Sequence, residues 1–412
     1  MKNINSIFFS KYTRVLINGN ECIVGNIAFD GRWIKMSHSL YKDLVQKSQN
    51  NISLLSEKEK KYINAFREVG ICIDNAEKDE LQLYPSDITI EITTQCNLAC
   101  KHCSYSFGGK KYREMPIDMI KAISKWSEDN KVKRILLTGG EPFCRKDIVD
   151  VCKVIKQNFT GSLEIITNGT LVTDEYIELI MRYIHALHIS LDGYDENSVS
   201  MIRGKGVYNK VIALINKLKM CGYERITLSC VSVGDDNSEI IKFKELSERL
   251  HIKPVIRQLN IKGRAEENFA EDPMELRIMH NLTEKGLTFK CLCNHQYRSI
   301  FINTYGIVFS CAALREEELG IGSFIVSEHK IHIDGLFAKP IVDKIAPCQN
   351  CNVRYFCADT CISRNNVIYS NNKKRVERCH IKKNKLEKIV WHTDNDLSLI
   401  HISEPTRLRC IS

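Results

Sequence analysis

Between about Asp87 and Leu259, short apolar runs alternate with longer segments whose apolar residues recur every three or four positions. The short runs are 88–92, 134–137, 163–166, 186–191, 226–231 and 254–259, each of strand length and rich in β-branched residues. Segments near 117–129, 148–158, 174–183, 208–220 and 238–250 carry the helical period. Strands and helices in alternation predict an α/β fold with a parallel sheet. Six strands predict a partial (β/α)6 barrel, with function at the C-terminal ends of the strands.

Residues 1–84 have a different texture. The stretch Arg14 to Gly25 reads as a hairpin around Asn18 and Gly19, and two helical patterns follow at 39–45 and 56–66. Ser56 with Glu59 gives a capping pattern, and Gly70 stands where the second helix should stop. This predicts a small winged-helix-like module. The expected domains are therefore residues 1–84, a barrel at 85–285, and a cysteine-rich domain at 286–396. Residues 397–407 read as the translation of a transposase adaptor used in sequencing libraries, so the natural sequence is expected to run only to about Asp396, and Cys410 is set aside as a ligand.

Composition adds the compartment and the chemistry. No apolar run reaches the roughly 20 residues that span a bilayer, and the N-terminus lacks a secretory apolar core, so a cytoplasmic protein with no membrane partner is expected. Eighteen clustered cysteines in a reducing compartment point to metal ligands rather than disulfides. The net charge of +9 is scattered apart from runs such as Lys382 to Lys388, which reads first as a solvated helix face and second as attraction to an acidic peptide or nucleic acid. Without a basic stripe interleaved with aromatics, no nucleic-acid partner is expected.

Cys96, Cys100 and Cys103 form a C-x3-C-x2-C run just after the first strand. Three thiolates so closely spaced can hold three corners of a four-iron cube and leave one iron open. After the second strand comes Thr138-Gly139-Gly140-Glu141-Pro142, two glycines for close backbone approach and a carboxylate for a cationic group. The pair of motifs closely resembles the radical S-adenosylmethionine (SAM) superfamily. That resemblance implies a 4Fe-4S cluster on the three cysteines, SAM chelating the fourth iron, and Gly139, Gly140, Glu141 and Pro142 lining its amino group. It places His102 near the adenine, Asn168 at the third strand end, Ser190 and Asp192 toward the ribose or substrate, and Arg203 toward the SAM carboxylate. It also implies an electron donor such as a flavodoxin or ferredoxin, reductive cleavage of SAM, and abstraction of a hydrogen atom from an unactivated carbon.

The later cysteines follow a second pattern: Cys293, Cys311, Cys348, Cys351, Cys357, Cys361 and Cys379. From spacing alone, paired zinc sites fit. The complete pattern resembles the SPASM domain of radical SAM enzymes that act on peptides. By that resemblance, Cys348, Cys351, Cys357 and Cys379 hold a distal auxiliary 4Fe-4S cluster and Cys293, Cys311 and Cys361 a nearer one. The family's usual cysteine soon after the first is missing at 297–299, so Cys291 or a substrate thiolate completes the nearer site, or one iron stays open. Cys152, Cys221 and Cys230 read as buried small hydrophobes, and Cys144 lies close to the expected site.

The expected function is that of a peptide maturase. It would act on a ribosomally made, cysteine-containing precursor, form a thioether cross-link, and use residues 1–84 to recognise a leader as an added strand. The alternatives are a formylglycine-generating, sulfatase-maturing enzyme and a non-catalytic iron-sulfur or zinc protein. Glu91, Tyr105, Asp192 and Tyr194 stand as candidate bases with no choice among them.

Overall fold

The computed structural model describes residues 7–27, 31–50, 55–73, 85–232, 237–269, 287, 289, 299–315, 320–333, 341–343, 348–357, 372–392 and 401–402. The chain divides into two compact units. One comprises residues 1–83, 278–294 and 338–412, the other 84–277 and 295–337. The segment expected as a single domain at 286–396 is thus shared between them.

In the first unit, β1 (Phe8–Phe9) pairs antiparallel with β5 (Cys72–Ile73). Strands β2 (Thr13–Asn18), β3 (Glu21–Asn26) and β4 (Trp33–Ser37) form an antiparallel sheet. The β2–β3 hairpin turns through residues 19 and 20, as the sequence suggests. Helix α1 (His38–Asn50) follows, then α2 (Glu57–Glu68). Ser56 caps α2 through its side chain while Glu59 accepts the Ser56 N–H, satisfying both donors reciprocally. The two-residue strand His401–Ile402, within the adaptor-like tail, pairs antiparallel with Lys35 and Ile34 of β4.

The cysteine-rich segment belongs to this same core. Trp33 packs edge-on against Phe356 with ring centroids 5.2 Å apart, and Phe289 packs on Tyr355 at 4.8 Å. Asp343 accepts from Arg14 at 3.3 Å, Arg354 at 3.0 Å and the Tyr355 hydroxyl at 2.6 Å. Residues 1–84 are therefore not an independent module: buried aromatic surface joins them to the cysteine segment.

The second unit is the α/β part. All six expected strands form: β6 (Asp87–Thr93), β7 (Arg134–Gly139), β8 (Ser162–Thr167), β9 (Ala186–Ser190), β10 (Ile226–Ser232) and β11 (Lys253–Gln258). They lie side by side in chain order and parallel. Helices α3 (Ile117–Asp129), α4 (Ile148–Asn158), α5 (Asp174–Tyr183), α6 (Glu196–Arg203), α7 (Val207–Met220) and α8 (Asn237–Arg249) connect them, and α9 (Arg264–Asn268) follows β11. The eight-residue α6, too short to show a period, was not expected. Beyond β6 the sheet continues with β12 (Ser299–Ile302), parallel, then β13 (Ile307–Phe309), β14 (Gly322–Ile325) and β15 (Lys330–Ile333), antiparallel.

Alternation sorts each strand into two faces. Ile88, Ile90, Ile135, Leu137, Leu163, Ile165, Leu187, Ile189 and Leu228 pack with the helices. The other, inner face carries polar residues. Near the strands' N-terminal ends Arg134 pairs with Asp87 at 2.9 Å and Glu164 at 3.4 Å, and His188 bridges Glu164 at 2.8 Å to Thr227 at 2.7 Å. Cys221 is exposed at the end of α7, contrary to its expected burial, because it falls on the helix cap rather than the packed stripe. Among the described residues no helix is long and apolar enough to cross a membrane.

Candidate active site at the strand ends

The end of β6 and the start of the cysteine loop are clamped to the end of β7 by backbone bonds. The Gly140 N–H donates to the Thr93 carbonyl at 2.9 Å and the Glu141 N–H to that of Gln95 at 2.7 Å. A Cβ on Gly139, whose φ is 150°, would lie 2.0 Å from the Thr93 oxygen, and one on Gly140 would lie 2.2 Å from the Gln95 oxygen. Only glycine permits this crossing.

Glu141 is fully buried, and its carboxylate faces the protein. It accepts from the Thr167 hydroxyl at 2.7 Å, the Asn168 N–H at 2.6 Å and the Phe143 N–H at 3.2 Å. Burial raises its pKa above the ordinary carboxylate value against the pull of these donors. The group expected to meet an external cation instead ties the β7 end to the β8 end. Pro142, buried beside it, opens the short turn Pro142–Cys144. Asn168 extends the tie, its amide donating to Asn97 at 2.9 Å, while Asn97 donates to Thr170 at 2.8 Å. The cysteine loop is thereby fastened to β8.

Cys100 is buried and Cys96 and Cys103 are half-buried. Burial pushes the Cys96 thiol up to about 12 and raises Cys100, whereas the Arg203 guanidinium, 3.9 Å from the Cys100 sulfur, pulls Cys100 down. Cys144 stands beside the same loop, pushed up to about 11 by burial and by Glu141 while the Asn97 N–H opposes the shift.

Asp192, with φ 60°, is the centre of the second half of the site. It accepts from Arg203 Nε at 2.5 Å, His102 Nε2 at 2.6 Å and the Val231 N–H at 2.5 Å. Burial alone would raise its pKa, but Arg203 and His102 outweigh it and hold the carboxyl well below its usual range. Since an ionised carboxylate only accepts, the His102 proton lies on Nε2. His102 Nδ1 is left buried without a hydrogen-bond partner among the described residues. Ser190 faces Ser229 across β9 and β10 at 3.4 Å, on the inner face. Cys100, His102, Asp192 and Arg203, drawn from three separate stretches of sequence, thus form one network.

The four candidate bases are all engaged. Glu91 pairs with Arg315, whose guanidinium lies 3.8 Å from the Tyr105 ring centroid and 4.5 Å from that of Phe301. The Tyr105 hydroxyl donates to the Ala312 carbonyl. Tyr194 bonds Glu239 at 3.3 Å and Lys242 at 3.1 Å. Arg315 was not singled out from the sequence: it lies in a loop without periodicity, 224 positions from its acidic partner, and carries no local signal.

These residues fit a cluster and SAM. The donor set is three thiols on one loop with a cation beside one sulfur, and the orphaned His102 nitrogen calls for a polar group of a ligand. No three His, Cys, Asp or Glu side chains among the described residues converge on a single metal ion. A four-iron cube takes its thiolates at separate corners instead. In the first unit Cys348, Cys351, Cys357 and Cys379 are each half-buried, and Cys379 lies close enough to Cys351 to raise its pKa, after the larger effect of burial. Cys311 is half-buried in the second unit, whereas Cys291, Cys293, Cys361 and Cys410 lie outside the described residues.

The model of the radical SAM superfamily matches residues 90–246, the stretch that holds this entire network apart from Arg315 and the later cysteines. This stretch matches the radical SAM domain. Among its relatives, the mycofactocin maturase MftC of Mycolicibacterium smegmatis is 28% identical over 181 residues, 44% of this chain and 46% of that protein. A probable GTP 3',8-cyclase of Thermoplasma volcanium is 27% identical over 165 residues, 40% of this chain and 51% of that one. The match spans about half the length of these curated relatives. Among solved structures, Streptococcus suis SuiB bound to S-adenosylmethionine covers 86% of this chain and 96% of its own at a TM-score of 0.52 and 16% identity. The enzyme anSMEcpe, with AdoMet and a Cp18Cys peptide, covers 74% and 99% at 0.53 and 14%. These two show the fold.

Proposed function

We propose that this radical SAM protein is a peptide maturase that joins a cysteine sulfur to a carbon of a ribosomally made precursor. The observation that carries the reading is the second cysteine set: Cys348, Cys351, Cys357 and Cys379 stand half-buried in one compact unit, in a chain whose other unit holds the Cys96–Cys103 loop. The named role of MftC as a maturase and the precursor peptide bound in one SuiB structure support the substrate class. When loaded, the cluster on Cys96, Cys100 and Cys103 together with SAM would supply hydrogen-atom abstraction. The chain's own part is to hold the loop rigid through Gly140, Glu141 and Asn168, and to orient the Asp192 network on the open side.

Auxiliary clusters would occupy the two later cysteine sets. The leader would add to the edge of β4, a proposal supported by the antiparallel pairing of that edge with residues 401–402. The test is the mass of a short cysteine-containing peptide encoded beside this gene after anaerobic co-expression. Loss of two hydrogens per modified residue, with alkylatable thiols disappearing, establishes the cross-link. Exchange of sulfur for oxygen together with loss of two hydrogens establishes formylglycine formation instead. An unchanged mass while SAM is cleaved removes the peptide as substrate.

A further inference from the structure

The inner face of the α/β unit carries several buried or half-buried cations, and nearly all have carboxylate partners. Arg134 has Asp87 and Glu164, Arg203 has Asp192, and Arg315 has Glu91. Arg257 differs. It sits in the second half of β11, paired in register with Val231 of β10. In parallel strands neighbours in register point to the same face, and two residues earlier Val255 aligns with Ser229, itself beside Ser190. Arg257 therefore points to the inner face, toward the strand ends where the site lies. It makes no hydrogen bond or ion pair with any described residue and remains solvent-exposed.

Its surroundings are nonetheless confined. Burial lowers its pKa below the ordinary arginine value, the Asp192 carboxylate opposes that shift, and the Arg203 guanidinium adds to it. Exposure to water together with confinement by protein describes a side chain on a concave wall. Asp192 makes no hydrogen bond to it: Arg203 and His102 share one oxygen and the Val231 N–H bonds the other. A guanidinium held on such a wall without a carboxylate partner among the described residues presents a fork of donors that matches a carboxylate in two parallel hydrogen bonds.

We propose that Arg257 is the docking point for a carboxylate of the peptide substrate, either an Asp or Glu side chain or the peptide's terminal carboxylate. The inference rests on the peptide reading above and adds a charge requirement to it. The pairing of Arg203 with Asp192 and its approach to Cys100 place that arginine on the cluster side of the site. Arg257, further round the sheet on the last strand, is left to the substrate side. The net charge of +9 has the sign that favours an acidic peptide.

The test uses the full-length, cluster-loaded enzyme with SAM under anaerobic conditions and a displayed library of short random peptides, each containing one cysteine. Display through the C-terminus offers only side-chain carboxylates, and display through the N-terminus leaves the terminal carboxylate free. Wild type is expected to enrich an acidic position, or the free terminus, by about tenfold, the factor that corresponds to roughly 1.4 kcal/mol. Arg257→Lys should keep part of that preference, Arg257→Gln should lose it, and Arg257→Glu should enrich Lys or Arg instead. Retained peptides with no acidic preference, or a preference unchanged in Arg257→Glu, overturn the inference alone. A loss of SAM affinity in Arg257→Gln as large as in Arg203→Gln also overturns it, by assigning Arg257 to SAM. A wild type that retains no peptide overturns the peptide reading and this inference together.

Discussion

The two cysteine regions are braced by different physics. The Cys96–Cys103 loop is held by polar groups: backbone bonds to Gly140 and Glu141, the Asn168–Asn97 bond, and the Asp192 network that reaches Cys100 through Arg203. The Cys348–Cys357 segment is held mainly by aromatic packing, Trp33 of β4 against Phe356 and Phe289 against Tyr355, with Asp343 as a charged tie among the described residues. A polar brace fixes direction and charge around a site, and its worth depends on protonation. An apolar brace fixes position and depends on volume. The two regions should therefore fail under different insults.

The largest separation is expected from the cysteines themselves. Cys100→Ala should abolish SAM cleavage to below detection, whereas Cys351→Ala should lower bound iron while SAM is still cleaved. Iron content and 5′-deoxyadenosine release, measured on the same anaerobic preparations, check this, and equal loss of cleavage in both would erase the distinction. Next comes Trp33→Ala, which removes a buried aromatic from the first unit and should cost about 3–5 kcal/mol there. Calorimetry should show the iron of the later cysteines lost at lower temperature, with the SAM site persisting. For the same reason, deleting residues 1–84 exposes Phe356 and Phe289 and is a poor way to isolate leader recognition.

Much of the second unit was legible because its signals are local. A strand's alternation, a glycine pair after a strand and three cysteines within eight residues can each be read in a short window, and those strands formed in the expected order. The Ser56 cap was legible for the same reason. What escaped depends on distance in sequence. Arg315 meets Glu91 across 224 positions, and Asp343 meets Arg14 across 329, so neither pair leaves a mark in any window. Glu141 shows the opposite limit. Its motif was visible, but which way the carboxylate faces depends on Thr167 and Asn168, which only the folded sheet brings near. Arg257 carries a local signal, a charge within an apolar strand.

Charge dependence sharpens the comparison further. Asp192→Asn leaves Arg203 buried without its counter-charge, which should cost about 3–5 kcal/mol at neutral pH. Asp192 has a folded pKa depressed below its unfolded value of about 3.9. Its contribution is therefore complete above about pH 5 and fades as pH falls through the unfolded and then the folded value. The gap in urea midpoint between wild type and Asp192→Asn should be constant from pH 7 to about 5 and shrink only below about 4. Trp33→Ala should show no such closing, because its loss is one of packed volume. Parallel pH profiles for the two variants would refute the polar and apolar assignment.

The smallest effect concerns the β4 edge. Residues 401–402 pair with Ile34 and Lys35 there, so a leader adding to β4 must first displace them. That is an intramolecular competition, and a two-residue strand competes weakly because few ladder bonds hold it. Removing residues 397–412 should then tighten binding of the precursor's leader by roughly fivefold, about 1 kcal/mol, without altering SAM cleavage. Because β2 forms the opposite edge of the same sheet, the direction of the change is informative. Unchanged affinity would move the leader away from β4, and weaker affinity would make the tail residues part of the binding surface rather than its competitor.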